Sequence, residues 1–322
     1  MKYPSVTVIV TVKNSKDTIG KCINSLLLLN YPNYKIYVTD AFSTDGTYDI
    51  LKCLQKKNPK KIKIEQVKGN IAESHNYMIR KISTELIAMT DSDCIVDKSW
   101  LKNLVLGFNS KEVIATAGFC STPKGVNNLQ NLIGLELESR FKNFPEFISR
   151  APTMNLCVKS SFAKKVKFNE KLDVAQETEW GYRLTELGKM RYAPNAVIYH
   201  YHRPKLKNFF IQQYKYGKHM PIIYFKMHKD KITGDHISTP SILLQLLLFD
   251  VTMLFLLSSV FFNFLIIPTA LLIIFLILFF LSDIVRITTS PEKVLGLLLI
   301  YFFRSIAWTL GVIAGIVNLL KR

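Results

Sequence analysis

The chain has 322 residues, 49% of them hydrophobic, with a formal net charge of +18 and a mean hydropathy of +0.17. So much apolar material excludes a disordered chain, which would lack the surface to form a core. The two excesses are also segregated: residues 1–240 hold 37 Lys and Arg against 21 Asp and Glu, whereas residues 241–322 hold 5 against 3.

A basic body before an apolar tail favours membrane lipid and phosphorylated or lipid-linked substrates. No nucleic-acid motif accompanies the charge, so no nucleic-acid partner is expected. The five cysteines are scattered, without CxxC or Cys/His zinc spacing, and read as reduced thiols of a cytoplasmic domain. Val6–Val12 runs directly into Lys13 and Asn14 and is no signal peptide.

In chain order, Val6–Val12 is β-branched and apolar, as suits a strand buried on both faces. Ile19, Cys22, Ile23, Leu26 and Leu27 form a helical stripe that ends before Tyr31-Pro32. Lys35–Thr39 is a second strand leading to Asp40, and Thr47–Leu54 a helix. Ile62–Val67, Leu86–Thr90 and Val113–Gly118 are further strands, with Ala72–Ile82 helical between the first two. This alternation predicts an α/β, doubly wound, mostly parallel sheet whose ligands bind at the carboxyl ends of its strands. The stretch between Thr122 and Pro152 reads as loops on the substrate side.

Three motifs carry chemistry. Asp91-Ser92-Asp93 directly follows an apolar strand, and two carboxylates so spaced can chelate a hard divalent cation such as Mn²⁺ or Mg²⁺. The same spacing also suits an Asp-rich turn. Around Gln176–Arg183, Trp180, Leu184 and Leu187 can share a buried helical face, and Gly188 is expected to end the helix. Glu177 and Glu179 then occupy its first turn, where the helix dipole favours their ionised form. Arg183 is an i, i+4 partner for Glu179, which leaves Glu177 as the candidate general base. His200 and His202, two apart on a strand, face the same side, and a histidine there is either structural or a third metal ligand.

Arg203–Lys231 carries eight Lys and Arg and one acid. Leu206, Phe209, Phe210, Gln213, Tyr214 and Gly217 follow the spacing of one helical face, flanked by lysines 205, 207, 215 and 218. This is either a basic amphipathic helix lying in the headgroup plane or an ordinary packed helix. Three apolar runs follow, at 241–262, 264–281 and 295–320, each near the length of a membrane span. The second is short enough to be re-entrant. Three full crossings from a cytoplasmic body would place Lys321 and Arg322 outside, against the positive-inside rule. Asp250 and Arg304 lie within the first and third runs, where a charge needs a partner. They read either as a pair with each other or as an Arg304 contact to a lipid phosphate. The resulting division is 1–202 catalytic, 203–240 interfacial and 241–322 transmembrane.

Taken in order, these pieces resemble family-2 glycosyltransferases of the GT-A fold. Val6 to Asn14 is similar to their opening strand. Asp40 with Ser43-Thr44-Asp45-Gly46-Thr47 is similar to their second-strand motif, and Asp91-Ser92-Asp93 to their metal-binding D-x-D. Asn155, Phe168-Asn169-Glu170, Gln176–Arg183 and His200 continue the match, which covers about residues 5–220. The resemblance implies that Asp40, Asp91, Val12 and Asn14 bind the nucleotide-sugar, and that Asp93, Asp91 and His200 hold the metal. It also implies that Glu177 is the catalytic base, with Asn155, Gln176, Glu179, Trp180 and Arg183 on the acceptor side or in support. The chain departs from the family pattern at Ala41, where a second acid is usual, at Gln176-Glu177 in place of Glu-Asp, and at Ser74-His75-Asn76 in place of Ser-Arg-Asn.

The function expected is a membrane-anchored, metal-dependent inverting glycosyltransferase adding a single sugar to a lipid-linked or membrane-proximal glycan acceptor. Its active site would face the cytoplasm, most naturally at a prokaryotic plasma membrane. The alternatives are a polyprenyl-phosphate glycosyltransferase, a processive polysaccharide synthase, and a non-catalytic membrane subunit that binds nucleotide-sugar.

Overall fold

The computed structural model describes residues 3–321, so Met1, Lys2 and Arg322 lie outside the described residues. The chain divides into two compact units, one of residues 1–124 and 141–201, the other of residues 125–140 and 202–322. The second therefore begins at His202, but it also includes residues 125–140, which the sequence reading places in the catalytic segment.

The strands are β1 (Val6–Val12), β2 (Tyr34–Asp40), β3 (Ile62–Gln66), β4 (Leu86–Asp91), β5 (Cys94–Val96), β6 (Val113–Ser121), β7 (Phe147–Ile148), β8 (Leu156–Lys159) and β9 (Lys189–His200). The helices are α1 (Lys16–Leu27), α2 (Thr47–Lys57), α3 (Ile71–Lys81), α4 (Trp100–Leu106), α5 (Asn128–Lys142), α6 (Ser160–Lys165), α7 (Gln176–Thr185), α8 (Leu206–Met220), α9 (Pro240–Ser259), α10 (Ile266–Ile284) and α11 (Pro291–Leu320).

In the first unit the described strands form one sheet of nine, in the order β3-β2-β1-β4-β8-β6-β9-β5, with β7 also paired to β9. β3, β2, β1 and β4 run parallel, and β8 lies antiparallel between β4 and β6. The mostly parallel, doubly wound reading therefore holds, with an antiparallel insertion that sequence did not reveal. β1 is buried along nearly its whole length, as its unbroken β-branched run requires. α1 packs through Ile19, Cys22, Ile23 and Leu26, four of the five residues of its predicted stripe. The helix predicted around Trp180 ends at Thr185, three residues before Gly188, so Leu187 lies beyond it and is exposed rather than part of its buried face.

In the second unit, three described helices are long and apolar enough to cross a membrane: Pro240–Ser259, Asn263–Ile284 and Pro291–Leu320. The middle one has 22 residues, enough for a full crossing. Residues 128–140 of α5 are helical rather than loop. Their Ile133 joins a buried cluster with Phe209, Phe249, Leu276, Phe280, Leu297 and Ile300.

This packing corrects the expected Asp250–Arg304 pair. Arg304 is buried and pairs with Glu136 of α5, and its second nitrogen donates to the Gln245 side chain at 3.0 Å. Gln245 in turn donates to Asp283 at 2.6 Å. Asp250 instead accepts a hydrogen bond from Thr309. The partner that neutralises Arg304 lies 168 positions away in sequence, beyond the reach of any pattern within the tail.

The basic helix α8 packs on α11. Gly217 faces the Trp308 backbone so closely that an added Cβ would sit 2.6 Å from its carbonyl oxygen, and Gly311 and Gly315 meet the backbone of Tyr214 and Lys218. Gly311 and Gly315 form a G-x-x-x-G seam, the spacing that lets two helix backbones approach. Trp308 closes the seam by donating its indole N–H to Gln213 at 2.9 Å. Lys205, Lys207 and Lys215 remain exposed.

Candidate active site

The strand order reverses between β1 and β4, since the chain leaves β1 towards β3 and returns to β4 on the other side. In an open α/β sheet this reversal opens a crevice at the carboxyl ends of the strands. The register aligns the acids there: Val12 pairs with Asp40, and Thr11 with Asp91. With β1 between them, the two acids stand on strands about 10 Å apart.

Asp40 has no exposed surface. Its carboxylate accepts Ser43 N–H at 3.1 Å, Ser43 Oγ–H at 2.5 Å and Gln66 Nε2–H at 3.0 Å, so here it organises the loop after β2. Val12 is buried, and its carbonyl accepts Ala41 N–H at 2.8 Å. Asn14 donates its N–H to Ser43 Oγ at 2.8 Å and accepts Thr44 N–H on its side chain at 2.9 Å. Among the described residues, the non-glycine positions with positive φ are Asn14 (51°), Phe42 (52°) and Ala175 (62°). Each costs backbone energy, and each lies within two residues of a predicted site residue.

Asp91 ends β4, and Asp93 opens the turn into β5. The β5–β9 ladder pairs Cys94 with His200 and brings His200 Nε2 to 3.5 Å from Asp93. Tyr201 N–H extends the ladder to the Asp93 carbonyl at 2.9 Å. Burial alone would lower the His200 pKa, but the Asp93 carboxylate outweighs it and holds the imidazole well above its ordinary value.

Donor atoms of Asp93, Cys94 and His200 lie within 4.8 Å of one another. Burial, then the charges of Asp93 and Asp91, raise the Cys94 thiol well above its usual range. Carboxylate oxygens and an imidazole nitrogen are the donors that suit a hard divalent cation such as Mn²⁺ or Mg²⁺, in preference to a soft thiol. His202 is not on the strand. β9 ends at His200, and the His202 carbonyl accepts from Gln130 within the second unit.

Glu177 stands in the first turn of α7, which follows the strained Ala175. It is half-buried, and burial raises its carboxyl pKa against the lowering effects of its own backbone N–H and Arg150. Its neighbours secure the helix. Arg183 grips Glu179 at 2.5 and 2.6 Å and reaches the Lys167 carbonyl at 2.8 Å. Trp180 is fully buried, donates to the Val166 carbonyl at 2.5 Å and stacks on Phe168 with centroids 4.5 Å apart. Gln176 is buried with its carbonyl oxygen unpartnered. Arg150 donates to Thr178 at 3.1 Å.

Asn155 lies in the framework. It accepts Trp100 Nε1–H at 2.8 Å and donates to the Phe119 and Ala196 carbonyls at 2.9 Å each. Ser43 and Ser92, quoted within their motifs, help complete this edge; Ser15, Gln66 and Arg150 were not singled out in the sequence, because isolated polar residues leave no periodic signal. A separate cavity of about 910 Å³ lies at the amino ends of the strands, lined by Tyr31, Glu85, Leu86, Lys102 and Lys164. It includes none of the predicted site residues.

A doubly wound sheet with D-x-D at the carboxyl end of β4 fits the GT-A fold of nucleotide-sugar-dependent glycosyltransferases. Residues 7–172 match the model of glycosyl transferase family 2, and the chain belongs to that family. It is 27% identical over 227 residues to glycosyltransferase AglE of Haloferax volcanii, covering 67% of this chain and 72% of that protein. It is 25% identical over 232 residues to a Methanococcus voltae enzyme named dolichyl N-acetyl-alpha-D-glucosaminyl phosphate 3-beta-D-2,3-diacetamido-2,3-dideoxy-beta-D-glucuronosyltransferase, covering 66% and 71%. In several other relatives the match spans a quarter of their length or less. Among solved structures, mannosyltransferase PcManGT of Pyrobaculum calidifontis, in complex with GDP-Man and Mn²⁺, superposes with a TM-score of 0.59 at 16% identity. That match covers 99% of this chain and 88% of the other.

Proposed function

We propose that this protein is a membrane-anchored, metal-dependent inverting glycosyltransferase that adds one sugar to a lipid-linked or membrane-proximal glycan acceptor. Its catalytic unit faces the cytoplasm, in the plasma membrane of a prokaryote. The observation that carries the reading is the Asp91, Asp93 and His200 group at the strand ends in a chain with three spanning-length helices. The dolichyl N-acetyl-alpha-D-glucosaminyl phosphate in the name of the Methanococcus voltae relative supports a lipid-linked sugar as acceptor.

Asp40, Asn14 and Val12 form the nucleotide side of the crevice, and Asp91, Asp93 and His200 hold the divalent cation, Mn²⁺ or Mg²⁺. When bound, this cation supplies Lewis-acid neutralisation of the charge on the departing nucleoside diphosphate. Glu177 takes the proton from the acceptor hydroxyl as that oxygen forms its bond to the sugar's anomeric carbon. The bond from that carbon to the diphosphate breaks on the opposite face, inverting the configuration. A carboxylate whose pKa is raised by burial is a stronger base than a solvated one. Glu179, Trp180 and Arg183 keep α7 in place, and Asn155 and Gln176 support the same side. The exposed Lys205, Lys207 and Lys215 suit α8 to the headgroup level of the membrane.

Incubation of the detergent-purified protein with UDP-, GDP- and dTDP-sugars, plus Mn²⁺, Mg²⁺ or EDTA, tests the reading. Release of one nucleoside diphosphate that needs metal and is lost in Asp91→Ala/Asp93→Ala is the expected result. Glu177→Gln should lower transfer to a hydroxyl acceptor by roughly 10²–10⁴-fold. Undiminished transfer to a polyprenyl phosphate by that variant would instead identify an acceptor that is already an anion.

A further inference from the structure

Ser15 occupies the N-cap of α1, yet its side chain makes no capping hydrogen bond. A serine there ordinarily accepts an N–H from the first turn, and giving up that bond costs helix stability. The Ser15 hydroxyl is spent elsewhere. It lies 2.9 Å from the hydroxyl of Ser92, the central residue of Asp91-Ser92-Asp93, and 3.3 Å from the Lys13 carbonyl. Its backbone N–H donates to Thr47 Oγ1 at 2.8 Å.

The preceding residue, Asn14, is held at a φ of 51°, and both its N–H and its side chain bind the loop after β2. That loop is closed by Ser43 on Asp40. Hydrogen bonds therefore link Asp40 to Ser43, Ser43 to Asn14 and Ser15 to Ser92, and the Asn14–Ser15 peptide bond joins them into one path that ends between the two metal-side carboxylates. Two local departures converge on one dipeptide: a strained non-glycine residue, and an N-cap serine that does not cap its helix, whose first N–H, on Lys16, is accepted by Asp45 at 3.0 Å instead. Such departures from local preference are retained where they serve a site.

We infer that Asn14-Ser15 is a coupling element, with Ser15 a positioning residue through which the metal-binding turn and the nucleotide-binding loop stabilise one another. The inference rests on the donor and metal assignments proposed above. A cation that fixes the Asp91–Asp93 turn fixes Ser92, hence Ser15, Asn14 and the Ser43–Asp40 loop. A nucleotide seated on that loop acts back on the turn, because coupling between sites is reciprocal.

The test measures UDP and GDP binding to the full chain by calorimetry, with and without Mn²⁺, in the wild type, Ser15→Ala, Ser92→Ala, the double variant and Ser15→Thr. In each single alanine variant, the factor by which Mn²⁺ tightens nucleotide binding should fall about three- to tenfold, the effect of one hydrogen bond. Metal-free affinity should hold. The double variant should be no worse than either single, since both break the same contact, and Ser15→Thr should restore the factor. A purely structural role would instead lower the melting temperature and weaken metal-free and metal-bound binding equally. An unchanged Mn²⁺ factor in both singles, or additive losses in the double, overturns the coupling while leaving the site assignment standing. A wild type whose nucleotide binding ignores Mn²⁺ overturns both.

Discussion

Asn155 offers the sharpest separation between an acceptor-side residue and a framework residue. It is 2% exposed, and its three hydrogen bonds join Trp100, β6 and Ala196, at the register irregularity of β9. Asn155→Ala leaves the Trp100 indole N–H buried without an acceptor, at about 1–3 kcal/mol. The two carbonyls lose a donor each, adding about 0.5–1 kcal/mol apiece because each has a second lone pair. The total is about 2–5 kcal/mol, or about 5–20 °C in melting temperature for a unit of this size. Asn155→Asp separates this account from simple loss of volume. It keeps the acceptor for Trp100 but points an oxygen at two carbonyls, so it should destabilise as much as the alanine. Differential scanning fluorimetry in detergent reads both. If both variants melt as the wild type does while acceptor-dependent transfer alone collapses, Asn155 touches the acceptor and the framework argument is wrong.

In the second unit, Arg304→Met alone strands Glu136, and breaking a buried pair in this way costs about 3–5 kcal/mol. Arg140, 3.4 Å from Glu136, offsets part of that, and Glu136→Leu/Arg304→Met should recover most of the melting temperature. Gly311→Leu should detach α8 from α11 by driving a side chain into the Tyr214 backbone, measured as faster proteolysis within residues 206–220. Burial raises the Glu177 carboxyl pKa, so its base form is lost earlier as pH falls. The acidic limb of kcat/KM should therefore lie above that of an ordinary carboxylate near 4.3 and disappear in Glu177→Gln.

The parallel half of the sheet was legible because strands buried on both faces read as unbroken apolar runs, and β2 and β4 each end in an acid at the crevice. Asp91 and Asp93 stood out for the same reason. What escaped had partners far away in the chain. The apolar residues of α5 surround an acid and do not trace one clean face, since Glu136 takes its buried partner from Arg304 and Ile133 its cover from Phe209 and the tail helices. The antiparallel strand β8 is four residues long, too short for an alternation to register. His202 looked like the pair of His200 because nothing in the local pattern marks where β9 stops. The stripe on α8 was visible, but its small residue Gly217 only acquires meaning opposite Gly311 and Gly315.

The union of residues 125–140 with the tail also sets a schedule for biosynthesis. Glu136 leaves the ribosome 168 residues before Arg304, an interval of roughly 10–30 s at ordinary elongation rates. Through that interval the nascent chain carries Glu136 and the apolar side of α5 without the helices that cover them. The catalytic unit thus has its complete sequence by Tyr201, whereas the excursion emerging from its middle cannot settle until the last membrane helix is made. A chain halted before that helix would display a sticky, charged loop to chaperones and quality-control proteases.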